Sequence, residues 1–179
     1  MGVASQSPEQ VLTTPDGFRA FYREALPRVY SYLFHRCGGI ASVAEDLTQE
    51  TFLAAVREIT RGRSMDDPLA WIIGVARHKL VDHFRKEARA ERKLTLAWQA
   101  AEIDDRLMVR LGEESRERTL AALRSIPASQ RAALVLRYLD GLSVPEVAAS
   151  LGRTVHATES LLARGRESFK RAYVEAEDE

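Results

Sequence analysis

A histidine, a serine and an arginine recur at four-residue intervals near the C-terminal end of the sequence. In an α-helix this spacing places His156, Ser160 and Arg164 on one ridge. An imidazole and a hydroxyl can hydrogen-bond base edges in the DNA major groove, and a guanidinium can bind guanine or a phosphate. The same pattern is typical of an ordinary solvated helix face. The ridge by itself therefore leaves DNA binding and simple solvent exposure equally open.

The residues before this ridge have the pattern of a helix-turn-helix. Ser143 with Glu146 three residues later predicts a capping box, and Pro145 between them suits a first helical turn. Gly152 suits the left-handed conformation that ends a helix. A second amphipathic helix is predicted from about Val155. In a helix-turn-helix the second helix can enter a major groove.

The charges of the chain are balanced in sum but unevenly distributed. The 26 Lys and Arg residues equal the 26 Asp and Glu residues, so the net charge is zero, which by itself argues weakly against nucleic acid. Residues 57–93, however, hold ten basic and six acidic residues, and residues 151–173 hold five and two. A basic stretch can be a solvated face, but two of them in two helical units favour a protein that touches DNA twice.

Helical periodicity covers the chain, and no alternating strand pattern competes with it. We predict helices that open at Asp16, at Ser42 with Glu45, at Pro68 and at Pro127, with Gly38-Gly39 as a break and a polar loop from Glu58 to Asp67. The predicted fold is all-α, with two small helical domains joined by a charged linker and the second domain ending in the helix-turn-helix. The predicted segments are a polar N-terminal tail (1–15), a first domain (16–89), a linker (90–118), a second domain (119–173) and an acidic tail (174–179).

Other function classes find little support in the sequence. Residues 1–14 lack the order of a signal peptide, and no apolar run is long enough to span a membrane. The single cysteine, Cys37, excludes an internal disulfide framework and fits a reducing cytoplasm. His78 and His83 are five residues apart, which does not match the spacing of zinc-binding helices. We therefore predict a cytoplasmic protein without membrane insertion, metal, cofactor or catalytic activity, and stoichiometric zinc in the purified chain would contradict this.

Three segments, in order, resemble the bacterial RNA polymerase sigma factors. Residues 44–52 (AEDLTQETF) resemble the polymerase-binding signature of that family. Residues 71–85 (WIIGVARHKLVDHFR) are similar to its helix that engages the −10 promoter element. Residues 126–131, 136–138 and 142–152 resemble its −35-binding domain. The match runs from about Phe18 to Arg171, and the short two-domain layout resembles the extracytoplasmic-function (ECF) group.

The resemblance implies three binding surfaces. The polymerase-binding residues would be Asp46, Leu47, Gln49, Glu50 and Phe52. The residues that bind the −10 element would be Arg61, Arg63, Arg77, His78, Lys79, Asp82, Arg85 and Lys86. The loop from Arg57 to Asp67 would form the pocket for a flipped base. The residues that bind the −35 element would be Arg153, Thr154, His156, Ala157, Ser160 and Arg164.

The resemblance also implies a function and partners. A sigma factor binds core RNA polymerase, directs it to a promoter, helps melt the −10 region and leaves after initiation, while the polymerase performs the chemistry. The expected partners are core RNA polymerase, promoter DNA and an anti-sigma factor. The alternative is a stand-alone helix-turn-helix regulator, which would have no need of residues 44–52. Glu159 and Leu161 stand where the family often has lysine and arginine, so we expect an unusual −35 sequence.

Overall fold

The computed structural model of the protein describes residue 12 and residues 14–62, 65–91 and 116–176. These ranges contain no β-strand, so the all-α prediction is confirmed for them. The helices are α1 (Pro15–Arg36), α2 (Ala41–Thr60), α3 (Pro68–Glu91), α4 (Arg116–Ser125), α5 (Ala128–Leu134), α6 (Val144–Leu151) and α7 (Val155–Glu175). Between α5 and α6 the chain forms a π-helical turn, Val135–Leu139.

The first of two compact units comprises Met1–Phe34 and Ala41–Leu80. Its described part holds α1 as far as Phe34, α2 and the first half of α3. Each helix buries an apolar stripe at helical spacing, which is the physical reason that these segments pack as helices. The buried residues of the three stripes include Phe21, Ala25, Val29, Leu33, Ala44, Leu47, Phe52, Ala55, Ile59, Ile72, Ala76 and Leu80.

Two helix starts differ from the predictions by one or two residues. The first helix begins at Pro15, and the Thr14 hydroxyl accepts a hydrogen bond from the Gly17 backbone N–H at 3.1 Å. Thr14 therefore caps α1, whereas Asp16 was predicted to do so. Likewise α2 begins at Ala41, which leaves Ser42 inside the helix.

The start of α3 confirms its prediction. Asp67 Oδ1 accepts hydrogen bonds from the backbone N–H groups of Leu69 and Ala70, at 3.1 and 3.0 Å. Pro68 is the first residue of the helix, where its missing N–H leaves no helical hydrogen bond unmade. Because α2 continues to Thr60, the loop before Asp67 is shorter than predicted.

The second unit comprises His35–Ile40 and Val81–Glu179. Its described part joins the α1–α2 turn and the second half of α3 to helices α4 to α7. Buried residues of its core include Phe84, Leu123, Ile126, Leu136, Val147, Leu162, Phe169 and Tyr173. Helices α5 and α7 approach closely at Gly165, where an added Cβ would lie 3.2 Å from Leu134 Cγ.

The π-helical turn is a feature that the sequence pattern did not predict. A regular helix was predicted to open at Pro127, and the helical segment runs from Ala128 to Leu139. Over Val135–Leu139, however, the hydrogen bonds widen, and the Asp140 backbone N–H donates to the Val135 carbonyl at 3.1 Å. A π-helical turn rotates the residues that follow it relative to an α-helix. It therefore determines where Leu139 and Asp140 lie.

Candidate polymerase and promoter surfaces

The capping box at Ser143 and the helix end at Gly152 are those that the sequence predicts. The Ser143 backbone N–H donates to Glu146 Oε2 at 2.8 Å, and its hydroxyl donates to the same oxygen at 2.6 Å. Gly152 ends α6 with φ of +63°, the left-handed conformation. Thr154 caps α7, since its hydroxyl oxygen accepts from the Ala157 backbone N–H at 3.2 Å. The turn between α6 and α7 is thus held by caps at both ends.

The ridge on α7 lies at the surface of the second unit. The His156 side chain is 93% exposed, while Ser160 and Arg164 are half-buried. Arg164 Nε donates to the Ser160 carbonyl at 3.3 Å, which holds the guanidinium along the ridge. Ala157 and Arg153 are half-buried, and Thr154 is exposed. The residues predicted for the −35 element therefore lie together at the start of one helix.

Leu161, one of the two residues that depart from the family pattern, is a packing residue. It is only 3% exposed and lies in the core of the second unit. An aliphatic side chain there packs the helix, so this position is not available to contact DNA. Glu159, in contrast, is exposed and lies 3.9 Å from His156 Nδ1.

Helix α3 carries the candidate −10 residues on more than one face. His78, Asp82 and Arg85 follow one ridge, and Lys86 lies beside it. Asp82 Oδ1 lies 3.6 Å from Arg85 Nη1, so the acid orients its neighbour. Arg77 lies about 100° around the helix from His78, because successive residues turn by that angle. Arg77 therefore lies to one side of the ridge of His78, Asp82 and Arg85.

The remaining candidates for the −10 element either have acidic partners or lie outside the described residues. Lys79 Nζ lies 3.5 Å from Glu50 Oε2 on α2. Arg61 Nη1 lies 2.8 Å from Glu58 Oε1 one turn earlier. Arg63 lies outside the described residues, as does part of the loop predicted to hold a flipped base.

The candidate polymerase surface on α2 is smaller than the predicted set. Asp46, Gln49 and Glu50 are exposed on one face of the helix. Leu47 and Phe52, which were predicted with them, are 5% and 6% exposed and lie in the core of the first unit. Both residues are buried because they lie on the apolar stripe of α2, at helical spacing from its other buried residues. Their direct contribution is to packing, which holds the exposed face in place.

Leu53 completes this face, although it was not predicted. It is 59% exposed, an unusual position for a large aliphatic side chain. It follows Gln49 by four residues and Glu50 by three, so it lies between them on the same face. The helical spacing could have identified it, but the search for charged side chains passed over it. The acidic face, defined as Asp46, Gln49, Glu50 and Leu53, thus combines charge with an apolar centre, as protein-binding surfaces often do.

Two titratable groups in the second unit have shifted pKa values. Burial raises the pKa of the Cys37 thiol to about 12, an effect that the nearby Arg131 only partly opposes. Burial also acts to raise the pKa of Glu87, but the hydrogen bond from His83 and the charge of Arg131 outweigh it, and the pKa of Glu87 is lowered. Arg131 Nη2 donates to Glu87 Oε2 at 2.9 Å. These shifts favour the protonated thiol of Cys37 and the ionised carboxylate of Glu87 at neutral pH.

Among the described residues, no group of His, Cys, Asp and Glu side chains is arranged to hold a metal ion. None of the described helices combines the length and the apolar character that crossing a membrane requires.

Comparison with known proteins gives two family matches on the chain. Residues 21–90 match the family model of sigma-70 region 2, and residues 116–169 match that of sigma-70 region 4. These regions correspond to the parts of the chain that hold α1 to α3 and α4 to α7.

Individual relatives agree with the family matches. The ECF RNA polymerase sigma factor BldN of Streptomyces coelicolor is 34% identical over 166 residues, which cover 87% of this chain and 60% of BldN. The chain thus spans about 60% of the length of that relative. The ECF RNA polymerase sigma factor SigD of Mycobacterium tuberculosis is 32% identical over 174 residues, which cover 90% of this chain and 81% of SigD.

A solved structure has a similar fold. It is the sigma factor RpoE of Bartonella quintana in complex with the anti-sigma factor NepR, with a TM-score of 0.50 and 21% sequence identity. The match covers 87% of this chain and 95% of that chain. Together with the two sigma-70 regions and the shared identity with SigD, the helical fold leads to one assignment: this chain belongs to the ECF group of RNA polymerase sigma factors.

Proposed function

We propose that this protein is a promoter-recognition subunit that binds core RNA polymerase and directs transcription initiation. The proposed division of labour gives residues 16–89 the polymerase and the −10 element, and residues 119–173 the −35 element. The observation that supports this most is the presence of the acidic face on α2 in a chain that also has a capped helix-turn-helix. A stand-alone regulator would use the helix-turn-helix but would leave the acidic face without a purpose.

The acidic face suits a protein partner. The carboxylates of Asp46 and Glu50 flank the exposed side chain of Leu53. An apolar centre surrounded by charged groups excludes water from the middle of an interface, and its rim selects a partner of opposite charge. We propose that this face binds a basic segment of core RNA polymerase, and that Leu53 contributes to that contact.

The promoter-binding role rests on α3 and α7. On α3 the ridge of His78 and Arg85 offers donors to phosphates and bases next to Asp82, which orients Arg85. Single-stranded nucleic acid is commonly held by such basic side chains along the backbone. On α7 the exposed His156 and the ridge of Ser160 and Arg164 suit a major groove. We propose that Arg153 and Thr154 at the start of α7 contact phosphates there.

The proposed role also suggests a further partner, the division of the chemistry and the cellular location. An anti-sigma factor is a proposed partner. RNA synthesis belongs to the polymerase, so we propose that the chain by itself is not an enzyme, and that it acts in the cytoplasm, where its polymerase is. We propose no cofactor.

Run-off transcription tests the proposed function. Purified chain would be combined with core RNA polymerase and a pool of genomic fragments, and the products would be sequenced. We expect transcripts that start at a fixed distance from a shared pair of upstream elements. A chain that binds genomic fragments without core polymerase and never directs initiation would instead support the stand-alone regulator.

A further inference from the structure

The second unit contains a cavity of about 360 Å³. This volume lies within the range of pockets that hold small ligands, about 300–1,000 Å³. The residues that line the cavity come from the second half of α3, from α5 and from the turn between α6 and α7, all within the second unit. The polymerase and promoter surfaces proposed above are faces of helices, whereas this is a pocket of the size that takes a small molecule.

The charge of this cavity is positive. Arg85 and Arg89 of α3 line it, and since they are four residues apart they share one face of the helix. Arg153, from the turn before α7, is the third arginine. Among the described residues that line the cavity, none is acidic. Three guanidinium groups around one small space repel one another unless an anion lies between them, so the cavity favours an anionic ligand.

The guanidinium of Arg85 is held in one orientation at this cavity. Its Nε donates to the Ser150 carbonyl at 2.8 Å, and its Nη1 lies 3.6 Å from Asp82 Oδ1. Asp82 is itself 61% exposed and does not line the cavity. A side chain that is already ordered loses less entropy when a ligand binds, so Arg85 is prepared to accept an anion.

Arg89 is a cation to which neither promoter surface assigns a role. It is exposed, and its side chain forms no hydrogen bond or ion pair with any other residue that the structure describes. Its exposure also means that the cavity opens to solvent there, so the cavity need not enclose a whole ligand. A guanidinium presents paired N–H donors that match two oxygens of a phosphate group, which makes phosphate the anion that arginines bind best.

Most of the remaining lining is apolar. Phe84 and Ala132 are each only 1% exposed, and Ala88 and Leu151 extend the apolar wall that they form. Ser129 adds a hydroxyl group, which can donate a hydrogen bond to a ligand oxygen. Inorganic phosphate would leave this wall uncovered, whereas a ligand that joins phosphate to a planar organic group would use both parts of the pocket.

We propose that this cavity binds a nucleotide, with its phosphates between Arg85, Arg89 and Arg153 and its base against the apolar wall. The charges fit a nucleoside diphosphate, whose phosphate groups carry about three negative charges at neutral pH. The three guanidinium groups of the cavity balance that charge. The site goes beyond the proposed function, which assigns no small ligand to the chain.

A bound nucleotide would compete with promoter DNA. Arg85 and Arg153 are candidates for the −10 and −35 elements, and a diphosphate that pairs with them neutralises the charge that attracts DNA phosphates. This consequence, unlike the binding site itself, rests on the proposed function. Affinity for a −35 duplex should therefore fall when the full-length chain is saturated with nucleotide, and an unchanged affinity would overturn the competition.

Isothermal titration calorimetry of the full-length chain tests the site. The probes are ADP and GDP, and pyrophosphate, adenosine and guanosine separate the phosphates from the base. We expect one nucleoside diphosphate to bind per chain with a Kd below about 1 mM, at least tenfold tighter than pyrophosphate or either nucleoside. Absence of binding by both nucleotides, or equal affinity for one of these fragments, would overturn the proposal.

A charge variant with a matched control identifies the cavity as the site. Arg89→Gln should weaken nucleotide binding at least tenfold, because charge-assisted hydrogen bonds to phosphate are lost. The control is Arg23→Gln on α1, which also removes one exposed arginine whose side chain has no partner among the described residues and which does not line the cavity. It should bind like the wild type, and an equal loss in both variants would show attraction by overall charge and overturn the proposal.

A second variant tests the apolar wall without a change in charge. Ala88→Leu places a larger side chain in the lining of the cavity, so it should weaken nucleotide binding at least fivefold. Ala70→Leu, at an exposed position of the same helix, is its control and should bind like the wild type. Wild-type affinity in Ala88→Leu would overturn the proposal, and if circular dichroism shows that variant to be unfolded, Arg89→Gln decides. These titrations need neither polymerase nor promoter, so the site can fail independently of the proposed function, which run-off transcription tests.

Discussion

Glu87 is a residue at which burial and charge act in opposite directions. Burial disfavours its ionised form, but His83 Nε2 lies 3.3 Å and Arg131 Nη2 lies 2.9 Å from Oε2. The lowered pKa shows that the two partners prevail. Arg131 is itself 7% exposed as a side chain, so neither member of the pair is well solvated. A pair of this kind stabilises the fold only while both charges are present.

The pH dependence of stability should report this carboxylate. A lowered native pKa stabilises the folded state above the unfolded pKa, near 4.5, and this contribution is lost as the pH falls through the native value. We expect the wild type to lose more free energy of unfolding below pH 4.5 than Glu87→Gln does. Urea titrations of both proteins between pH 3 and pH 7 would measure the difference. Parallel curves for the two proteins over that range would contradict the assignment.

Two helical glycines should respond in different ways to the same substitution. At Gly74 in α3 an added Cβ meets no atom within 4 Å, whereas at Gly165 it meets Leu134 Cγ at 3.2 Å. We expect Gly74→Ala to stabilise the protein by up to about 1 kcal/mol, since alanine favours helix. Gly165→Ala should lack this gain because Leu134 must move, and overpacking typically costs about 1–3 kcal/mol. Urea midpoints of the two variants would test this difference. Equal stabilisation by both would mean that Leu134 on α5 moves without a cost in free energy.

At the scale of the helix, the periodicity of α2 places its packing residues and its proposed binding residues on different faces. Leu47 and Phe52 belong to the buried stripe, and the Phe52 ring packs edge-on against Tyr22 with centroids 4.7 Å apart. The acidic face lies away from this stripe. Charge changes on that face therefore leave the core intact, which allows binding to be tested apart from folding.

Reversing two charges of the acidic face should weaken polymerase binding. We expect Asp46→Arg with Glu50→Arg to cost about 2–5 kcal/mol, the range for charged groups at an interface. Asp16→Arg with Glu24→Arg is the matched control, since it reverses one exposed Asp and one exposed Glu on α1. Co-purification with core polymerase and circular dichroism would be measured for both variants. Undiminished co-purification of the double variant would remove the acidic face from the proposed interface.

On α7 a single side chain tests recognition of the −35 element. Arg164→Ala should lower promoter affinity by about 1–3 kcal/mol with relaxed preference at one position, if the guanidinium contacts a base. If it contacts only phosphate, affinity should fall equally for all sequences and the salt dependence should weaken. Lys170→Ala, an exposed cation about 120° further around the helix, is the control. Wild-type transcription from the cognate promoter by Arg164→Ala would exclude both roles.

Local signals in the sequence predicted more of the fold than of the surfaces. The caps at Ser143, Gly152 and Asp67 depend on residues within one turn, so they could be predicted from spacing alone. The cap at Thr14 was missed because Thr14 and Asp16 are both of residue types that cap helices. The burial of Phe52 depends on packing against other helices, which a motif does not encode. The π-helical turn and the pairing of Arg36 with Asp140, 104 residues apart, had no local signal at all.

At the scale of the whole molecule, the proposed function requires one chain to bind two promoter elements. Joining two binding modules raises the effective concentration of the second, provided that the connection can span the distance between their sites. The segment from 92 to 115 connects α3 to α4. Its 24 residues can reach at most about 79–86 Å at roughly 3.3–3.6 Å per residue. Elements at −10 and −35 lie about 25 base pairs apart, or roughly 85 Å at about 3.4 Å per base pair. Under the proposed function, the reach of this segment is therefore close to what simultaneous binding of both elements needs.

Shortening the connecting segment should therefore be far more harmful than lengthening it. Deleting eight residues within 92–115 would cut the maximum reach by about 25–30 Å, and we expect run-off transcription from the cognate promoter to fall at least tenfold. Inserting eight glycine and serine residues should lower it by less than about threefold, because even doubling a flexible loop costs only about 0.6 kcal/mol. Core-polymerase binding through α2 should be unchanged in both variants, which controls for folding. Equal transcription from the shortened and lengthened chains would mean that the two elements are not bound at the same time by α3 and α7.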